Sequence, residues 1–374
     1  IRRRWKIGIR KVDNETKKPL GGGKFGLYAG EILCDTKGNV LCGKDQQIAA
    51  AVSDANGEAV FDADLPLGIY YVKELEAPAG YVKDETPVKI DLGAGIPEKV
   101  AAQISEREEL ELTVDPDGSN VMYLTVSDIQ TTVEISKQDV TDCAEIPGAK
   151  LTVFDEQEHI VDTWTSGEKP HSIRGLEPGH AYILREETAP FGYVVAEDVT
   201  FTVENTGEVQ PVHMFDKHAM GQLRIEKRDK KTDQLLEGAH FELRDEDGSV
   251  LEELVTDKNG EAVSSVLEIA TFANGRAGKE KTYTLVETKA PAGYQKDDQE
   301  YKVRFAYEDD HTEVVKVRQK VQNVKESDHA TPPKTGDGTP LGEWLLVLLL
   351  SAGIFATGVG LALRRKSWMQ KHIE

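Results

Sequence analysis

Tyr70-Tyr-Val-Lys-Glu74-Leu-Glu-Ala77-Pro78-Ala-Gly80-Tyr81 occurs, in recognisable form, three times in the chain. It returns from Tyr182 through Glu186, Ala189, Pro190 and Gly192 to Tyr193, and from Tyr283 through Glu287, Ala290, Pro291 and Gly293 to Tyr294. The shared pattern is Y-x-x-x-E-x-x-A-P-x-G-Y. Side chains of a strand alternate between its two faces. Tyr70, Val72 and Glu74 therefore share a face, as do Tyr182, Leu184 and Glu186, and Tyr283, Leu285 and Glu287. A carboxyl group on an apolar face needs a partner or a proton.

Candidate partners lie upstream and downstream of each copy. The units open on Ile7-Gly-Ile9-Arg-Lys11-Val-Asp13, Val133-Glu-Ile135-Ser-Lys137-Gln-Asp139 and Leu223-Arg-Ile225-Glu-Lys227-Arg-Asp229. Each is a short alternating strand with a Lys at the third position of its apolar face. They close on Leu124-Thr-Val126-Ser-Asp128, Val212-His-Met214-Phe-Asp216 and Val317-Arg-Gln-Lys-Val321-Gln-Asn323. By the same parity Asp128, Asp216 and Asn323 face inward. Each unit thus supplies one inward Lys, one inward Glu and one inward Asp or Asn. Lys6 is the alternative to Lys11 in the first unit, disfavoured because its parity is opposite to that of Ile7 and Ile9.

Two readings of these triads stand. One is a buried, hydrogen-bonded ion cluster. The other is an amide joining Lys to Asp or Asn, with Glu as proton shuttle. Burial lowers a lysine pKa and raises a glutamate pKa. A neutral amine is a nucleophile, and a protonated Glu can polarise the acceptor carbonyl.

Between these landmarks lie second strands at Gly23-Lys-Phe25-Gly-Leu27, Gly148-Ala-Lys-Leu151-Thr-Val153 and Gly238-Ala-His-Phe241-Glu-Leu243. Turns follow at Asp54-Ala-Asn-Gly57, Asp257-Lys-Asn-Gly260 and Asp245-Glu-Asp-Gly248. These, and Asp115-Pro-Asp-Gly118, lack the distal Glu of a calcium loop and read as β-turns. Many short strands with Gly, Pro and Asn turns indicate an all-β class. The expected division is 5–130, 131–219 and 220–326 for three β-sandwiches. The first unit is longest, and Ala101 to Leu110 reads as either a short helix or an extra hairpin.

The net charge of −21 argues against nucleic-acid binding, which calls for a basic face. Three cysteines are too few for a disulfide framework; Cys34 and Cys42 flank a turn and either pair across it or remain free thiols. No metal site, cofactor motif or Ser-His-Asp or Cys-His set is readable, so an enzyme is not expected. The chain begins at Ile1 without an initiator Met or an apolar leader, which reads as a fragment or processed form of a longer protein.

Residues 327–343 are rich in Pro, Gly and polar side chains and read as a linker. Trp344 to Leu363 carries no charge and is long enough to span a bilayer as one transmembrane helix. Arg364, Arg365 and Lys366 follow, so the basic tail 364–374 is expected to stay cytoplasmic, with the remainder outside.

The K-x-D opening, the G-A-x-F-x-L second strand and the E-x-x-A-P-x-G-Y box resemble the collagen-adhesin B-type repeats, the SpaA-type prealbumin-like fold of Gram-positive surface adhesins and pilins. The resemblance spans roughly residues 5 to 325 in three copies. It implies Greek-key β-sandwiches with an isopeptide bond between first and last strands. On it, Lys11, Lys137 and Lys227 match the bonding lysine, and Glu74, Glu186 and Glu287 the catalytic Glu. Asn323 matches the usual acceptor, Asp128 and Asp216 the rarer Asp version. The tail resembles a sortase sorting signal, with Pro332-Pro333-Lys334-Thr335-Gly336 as its motif and Pro in place of the Leu of L-P-x-T-G. The implied partners are a sortase and then peptidoglycan or another pilin subunit. The implied protein is a wall-anchored stalk or pilin-like structural protein at the cell surface; the alternative is an adhesin module that binds a host extracellular ligand.

The sorting reading is checked in cells that carry a matching sortase. Thr335→Ala is expected to leave the protein in the membrane fraction, and equal wall incorporation of variant and parent excludes it.

Overall fold

The computed structural model describes residues 5–94, 111–114 and 121–326. The linker, sorting motif, apolar segment and basic tail from 327 onward lie outside the described residues, as do Ala101 to Leu110 and Asp115 to Gly118. Apart from one 3₁₀ turn at Leu92–Ala94, every regular element described is a β-strand. No helix among the described residues is long and apolar enough to cross a membrane.

The strands form three sandwiches in tandem. In the first, one sheet runs Glu58–Val60, Lys6–Asp13, Val121–Asp128, Glu111–Val114, and the other Gln47–Val52, Lys24–Ala29, Ile69–Glu76, Val88–Asp91. In the second, His171–Arg174, Thr132–Asp139, Val209–His218 and Tyr193–Val194 form one sheet. Ile160–Thr165, Lys150–Phe154, Ala181–Thr188 and Val199–Thr202 face it. In the third, Glu261–Glu268, Met220–Asp229 and Val314–Asn323 face Val250–Val255, His240–Arg244, Tyr283–Lys289 and Glu300–Val303.

Each core is filled by the alternate residues that period two selects. Ile7, Ile9, Phe25, Leu27, Tyr70, Val72 and Leu124 close the first core, and Leu223, Ile225, Phe241, Leu243, Tyr283 and Leu285 the third. Burying one such side chain contributes about 1.5–3 kcal/mol. The same alternation brings Lys11, Lys137 and Lys227 inside.

The first and last strands of every sandwich are adjacent and parallel. Lys11 is in register with Val126 and Asp13 with Asp128. Lys137 pairs with Met214 and Asp139 with Asp216, and Lys227 pairs with Val321 and Asp229 with Asn323. Parallel neighbours cannot be joined by a tight turn, so the rest of each domain is the crossover between them.

The Asp-rich turns spend their carboxylates on their own backbone. Asp54 Oδ1 accepts from the amides of Asn56 and Glu58 at 2.8 and 2.9 Å, and Asp257 Oδ1 from Asn259 and Glu261 at 2.8 and 3.0 Å. Cys34, Cys42 and Cys143 are free thiols. On the short hairpin, Cys34 is in register with Val40 and Cys42 with Leu33, so the two are offset and do not pair. Lys6 points outward to Asp62 at 2.9 Å, as its parity requires.

One hairpin was not foreseen. Ala270–Ala273 and Arg276–Glu280 pair around Asn274 and Gly275, whose φ values of 52° and 68° suit the two central residues of a type I′ turn. The Asn-Gly dipeptide was the available signal.

Gly57 and Gly260 close the turns behind the lysine strands. Their carbonyls accept from the amides of Lys11 and Lys227 at 2.7 and 2.8 Å. Their φ values are 75° and 64°, and a Cβ would lie 2.4 and 2.8 Å from the carbonyl oxygens of the same lysines. Left-handed backbone alone costs an L-residue about 1–2 kcal/mol. Gly57→Ala and Gly260→Ala are therefore expected to lose at least ~1–2 kcal/mol each in chemical denaturation. An unchanged midpoint contradicts this account.

Candidate functional site

Each candidate site spans both sheets of its sandwich. The Lys and its acceptor stand on the parallel first and last strands, and the Glu reaches over from the facing sheet. Lys11 Nζ touches Asp128 Oδ1 and lies 2.8 Å from Glu74 Oε1. Lys137 Nζ touches Asp216 Oδ1 and donates to Glu186 Oε2 at 2.8 Å. Lys227 Nζ touches Asn323 Oδ1 and lies 2.9 Å from Glu287 Oε1. All nine side chains that the sequence singled out are buried and meet as three sets of three. The ring of Phe25 lies 5.5 Å from Lys11 Nζ, and that of Phe241 5.3 Å from Lys227 Nζ, so the amines also face aromatic π-clouds.

Every Glu is anchored from behind by one backbone amide. Asp84 N donates to Glu74 Oε2 at 2.8 Å, Ala196 N to Glu186 Oε2 at 2.7 Å, and Asp297 N to Glu287 Oε2 at 2.7 Å. Each of these amides belongs to the third residue after the box tyrosine. The loop that leaves the box thus folds back to hold the Glu.

The acceptors differ in a telling way. In the third domain Asn323 Nδ2 donates to both oxygens of Glu287, at 3.0 and 3.1 Å. In the first two domains an Asp oxygen takes the place of that amide nitrogen. Asp128 Oδ2, Glu186 Oε1 and Asp216 Oδ2 are buried without a hydrogen-bond partner, and Glu74 Oε1 has only the Lys11 amine. A proton on the Asp would supply the missing donor. In agreement, burial pushes the Asp128 carboxyl up to about 7 and the Asp216 carboxyl up to about 8. The nearby lysine opposes that rise and the nearby Glu adds to it. In the third domain burial lowers the Lys227 pKa, against the pull of Glu287. Each site therefore sits close to a state with a neutral partner for the amine.

A second cluster, unforeseen from sequence, lies beside the first. The Asp of each K-x-D accepts from the box tyrosine: Tyr81 on Asp13 at 3.0 Å, Tyr193 on Asp139 at 2.8 Å, Tyr294 on Asp229 at 3.0 Å. The other oxygen of each Asp caps the turn that follows, through the amides of Thr16, Thr141 and Thr232 among others. His218 Nε2 adds a contact of 2.8 Å to Asp139. Burial would raise the Asp139 carboxyl, but these hydrogen bonds win and hold it down at about 2. The signal was present in the recurrence of K-x-D and G-Y at fixed places in all three units.

The sequence matches the SpaA prealbumin-like fold domain over residues 5–105, 131–218 and 221–321. The chain belongs to that family. Three solved structures illustrate its relatives. The Bacillus anthracis TIE protein is 25% identical with a TM-score of 0.50, over 86% of this chain and 51% of that one, so the chain spans about half its length. BcpA, the major pilin subunit of Bacillus cereus, is 17% identical with a TM-score of 0.44, over 87% of this chain and 100% of that one. The major pilin SpaD of Corynebacterium diphtheriae is 17% identical with a TM-score of 0.37, over 87% and 98%. No curated protein matches the chain. The three family matches fall on the three sandwiches, each with its own triad.

The tyrosine contact predicts a measurable loss. A hydrogen bond to a charged group contributes about 1.5–3 kcal/mol. Tyr193→Phe is expected to lower unfolding free energy by about that amount at neutral pH. The folded pKa of Asp139 lies below its unfolded value, so its stabilisation is present above about pH 4 and is lost as pH falls toward 2. Tyr193→Phe should flatten that acid limb in pH-dependent denaturation, and an identical limb in variant and parent excludes the contact as its source.

Proposed function

We propose that the chain is a pilin-type structural protein of the Gram-positive cell surface whose three domains each close an internal amide: Lys11–Asp128, Lys137–Asp216 and Lys227–Asn323. The observation that carries this reading is the contact of a buried amine with a buried acceptor side chain, with a Glu touching the amine, repeated in three domains.

The chemistry follows from the contacts. Nζ attacks Cγ of the acceptor as a neutral amine. The Nζ–Cγ bond forms and a Cγ–O bond of Asp, or the Cγ–N bond of Asn, breaks. Glu74, Glu186 or Glu287 takes a proton from the attacking nitrogen and delivers one to the leaving group. Water leaves in the first two domains and ammonia in the third. No external reagent is required, since the fold holds nucleophile and acceptor in contact and removes most of the entropic barrier.

The product suits a load-bearing role. Chain enters each sandwich on the first strand and leaves on the last, and these are neighbours. A bond between them carries tension past the intervening strands. By analogy with disulfides, closing a loop on the order of 100 residues adds ~4–5 kcal/mol to stability. Sorting at Thr335, by a sortase acting on the 332–336 motif before a membrane-held apolar segment, would join the stalk to peptidoglycan or to another pilin subunit.

The intact mass is expected to fall short of the sequence mass by two waters and one ammonia. Glu74→Ala, Glu186→Ala and Glu287→Ala should each restore one deficit and make the affected domain more protease-sensitive. A full mass for the parent chain leaves only buried ion clusters.

A further inference from the structure

The loop that presents the amide to each Glu is pinned from outside its own domain. In the first domain, Lys83 immediately precedes Asp84, whose amide holds Glu74. Lys83 N donates to Asn205 Oδ1 at 2.8 Å, and Asn205 Nδ2 donates back to the Lys83 carbonyl at 3.2 Å. Asn205 belongs to the second domain. In the second domain, Val195 immediately precedes Ala196, whose amide holds Glu186. Val195 N donates to the Asp310 carbonyl at 2.8 Å, and Ala189 N to Asp310 Oδ2 at 3.0 Å. Asp310 belongs to the third domain.

The two clamps are equivalent twice over. Lys83 and Val195 are both the second residue after the box tyrosine. Asn205 and Asp310 both sit in the loop before their domain's last strand, between Val199–Thr202 and Val209–His218 and between Glu300–Val303 and Val314–Asn323. The third domain reaches the same end from within: Tyr301 donates its hydroxyl to Asp297, the residue whose amide holds Glu287.

We propose that each of the first two crosslinking sites is completed by the domain that follows it, with Asn205 positioning Glu74 and Asp310 positioning Glu186, while the third site is self-sufficient. The inference rests on the crosslinking reading above. A misplaced shuttle is costly because proton transfer requires hydrogen-bond reach. The loop between box and Glu amide lies at the surface of its own domain, where a partner must immobilise it. Asn205 and Asp310 touch neither amine nor acceptor and act through the loop as positioning residues.

The full chain is made by cell-free translation, quenched in acid at intervals and digested, and the three joined peptides are quantified by mass spectrometry. Asn205→Ala is expected to slow Lys11–Asp128 joining on the order of tenfold while the other two bonds form at the parent rate. Asp310→Ala, which removes the bond from Ala189 N and keeps the main-chain bond from Val195 N, should slow Lys137–Asp216 alone and by a smaller factor. Asn205→Asp, which keeps an acceptor for Lys83 N, and Asp310→Asn, which keeps one for Ala189 N, should recover part of the rate. General damage strikes a different bond in each case: Lys137–Asp216 for a substitution at Asn205, and Lys227–Asn323 for one at Asp310. Slowing confined to those bonds, or no slowing, overturns the inference while leaving crosslinking intact. Absence of joined peptides in the parent refutes crosslinking itself, and this inference with it.

Discussion

A lysine amine enclosed in a β-sandwich core is the constraint on which the rest of each domain depends. Lys11 and Lys227 have no solvent exposure and Lys137 has 1%. Desolvating an ammonium costs several kcal/mol, which a single ion pair does not reliably offset. The fold answers with two oxygen partners for each amine, one from the adjacent parallel strand and one from the opposite sheet. Neither can be moved by one residue without turning its side chain to solvent. The parallel register of first and last strands, and the approach of the facing strand, are thus fixed by the same three groups that could react.

Two aspartates in the second domain show how far environment decides chemistry. Asp139 and Asp216 are register partners on neighbouring strands, and both are buried. Asp139 receives donors from Thr141, Tyr193 and His218 and is held at about 2, although burial opposes this. Asp216 keeps one oxygen without a donor and is pushed up to about 8 by burial. One carboxyl is committed to its charge and latches the box loop; the other favours the neutral form that an amine can attack. Neighbouring aspartates are driven in opposite directions: burial and the nearby Glu186 raise Asp216, while hydrogen-bond donors outweigh burial at Asp139.

Period-two alternation made the strands, the inward faces and all nine triad residues legible, because in a sandwich that parity is dictated by burial alone. Repetition did the rest: one inward Lys has several explanations, and three at one register have few. The role of Asp13, Asp139 and Asp229 was not legible, since parity does not say which of two inward carboxyls receives the amide donors of a turn. The hairpin around Asn274 and Gly275 had a local signal but no counterpart in the other units, so comparison among repeats hid it. The offset of Cys34 and Cys42 depends on an irregular register between Leu33 and Cys34 that spacing does not encode. Contacts such as Lys83 with Asn205 join residues far apart in sequence through irregular loops, where no periodicity exists to read.

The domain junctions tie these observations together. Only Ile129 to Thr131 separates the last strand of the first domain from the first strand of the second, and only Ala219 separates those of the second and third. Thr131 N donates to the Gly80 carbonyl at 3.1 Å, and Ala219 N to the Gly192 carbonyl at 2.7 Å. The connecting residues therefore dock on the box loop of the domain just completed. The chain runs directly from the Asp128 site to Lys137, and from the Asp216 site to Lys227, along strands paired with their neighbours. The long crossovers between first and last strands carry each Glu. In every unit the box loop supports the triad and latches the K-x-D strand, and in the first two it also seats the next domain.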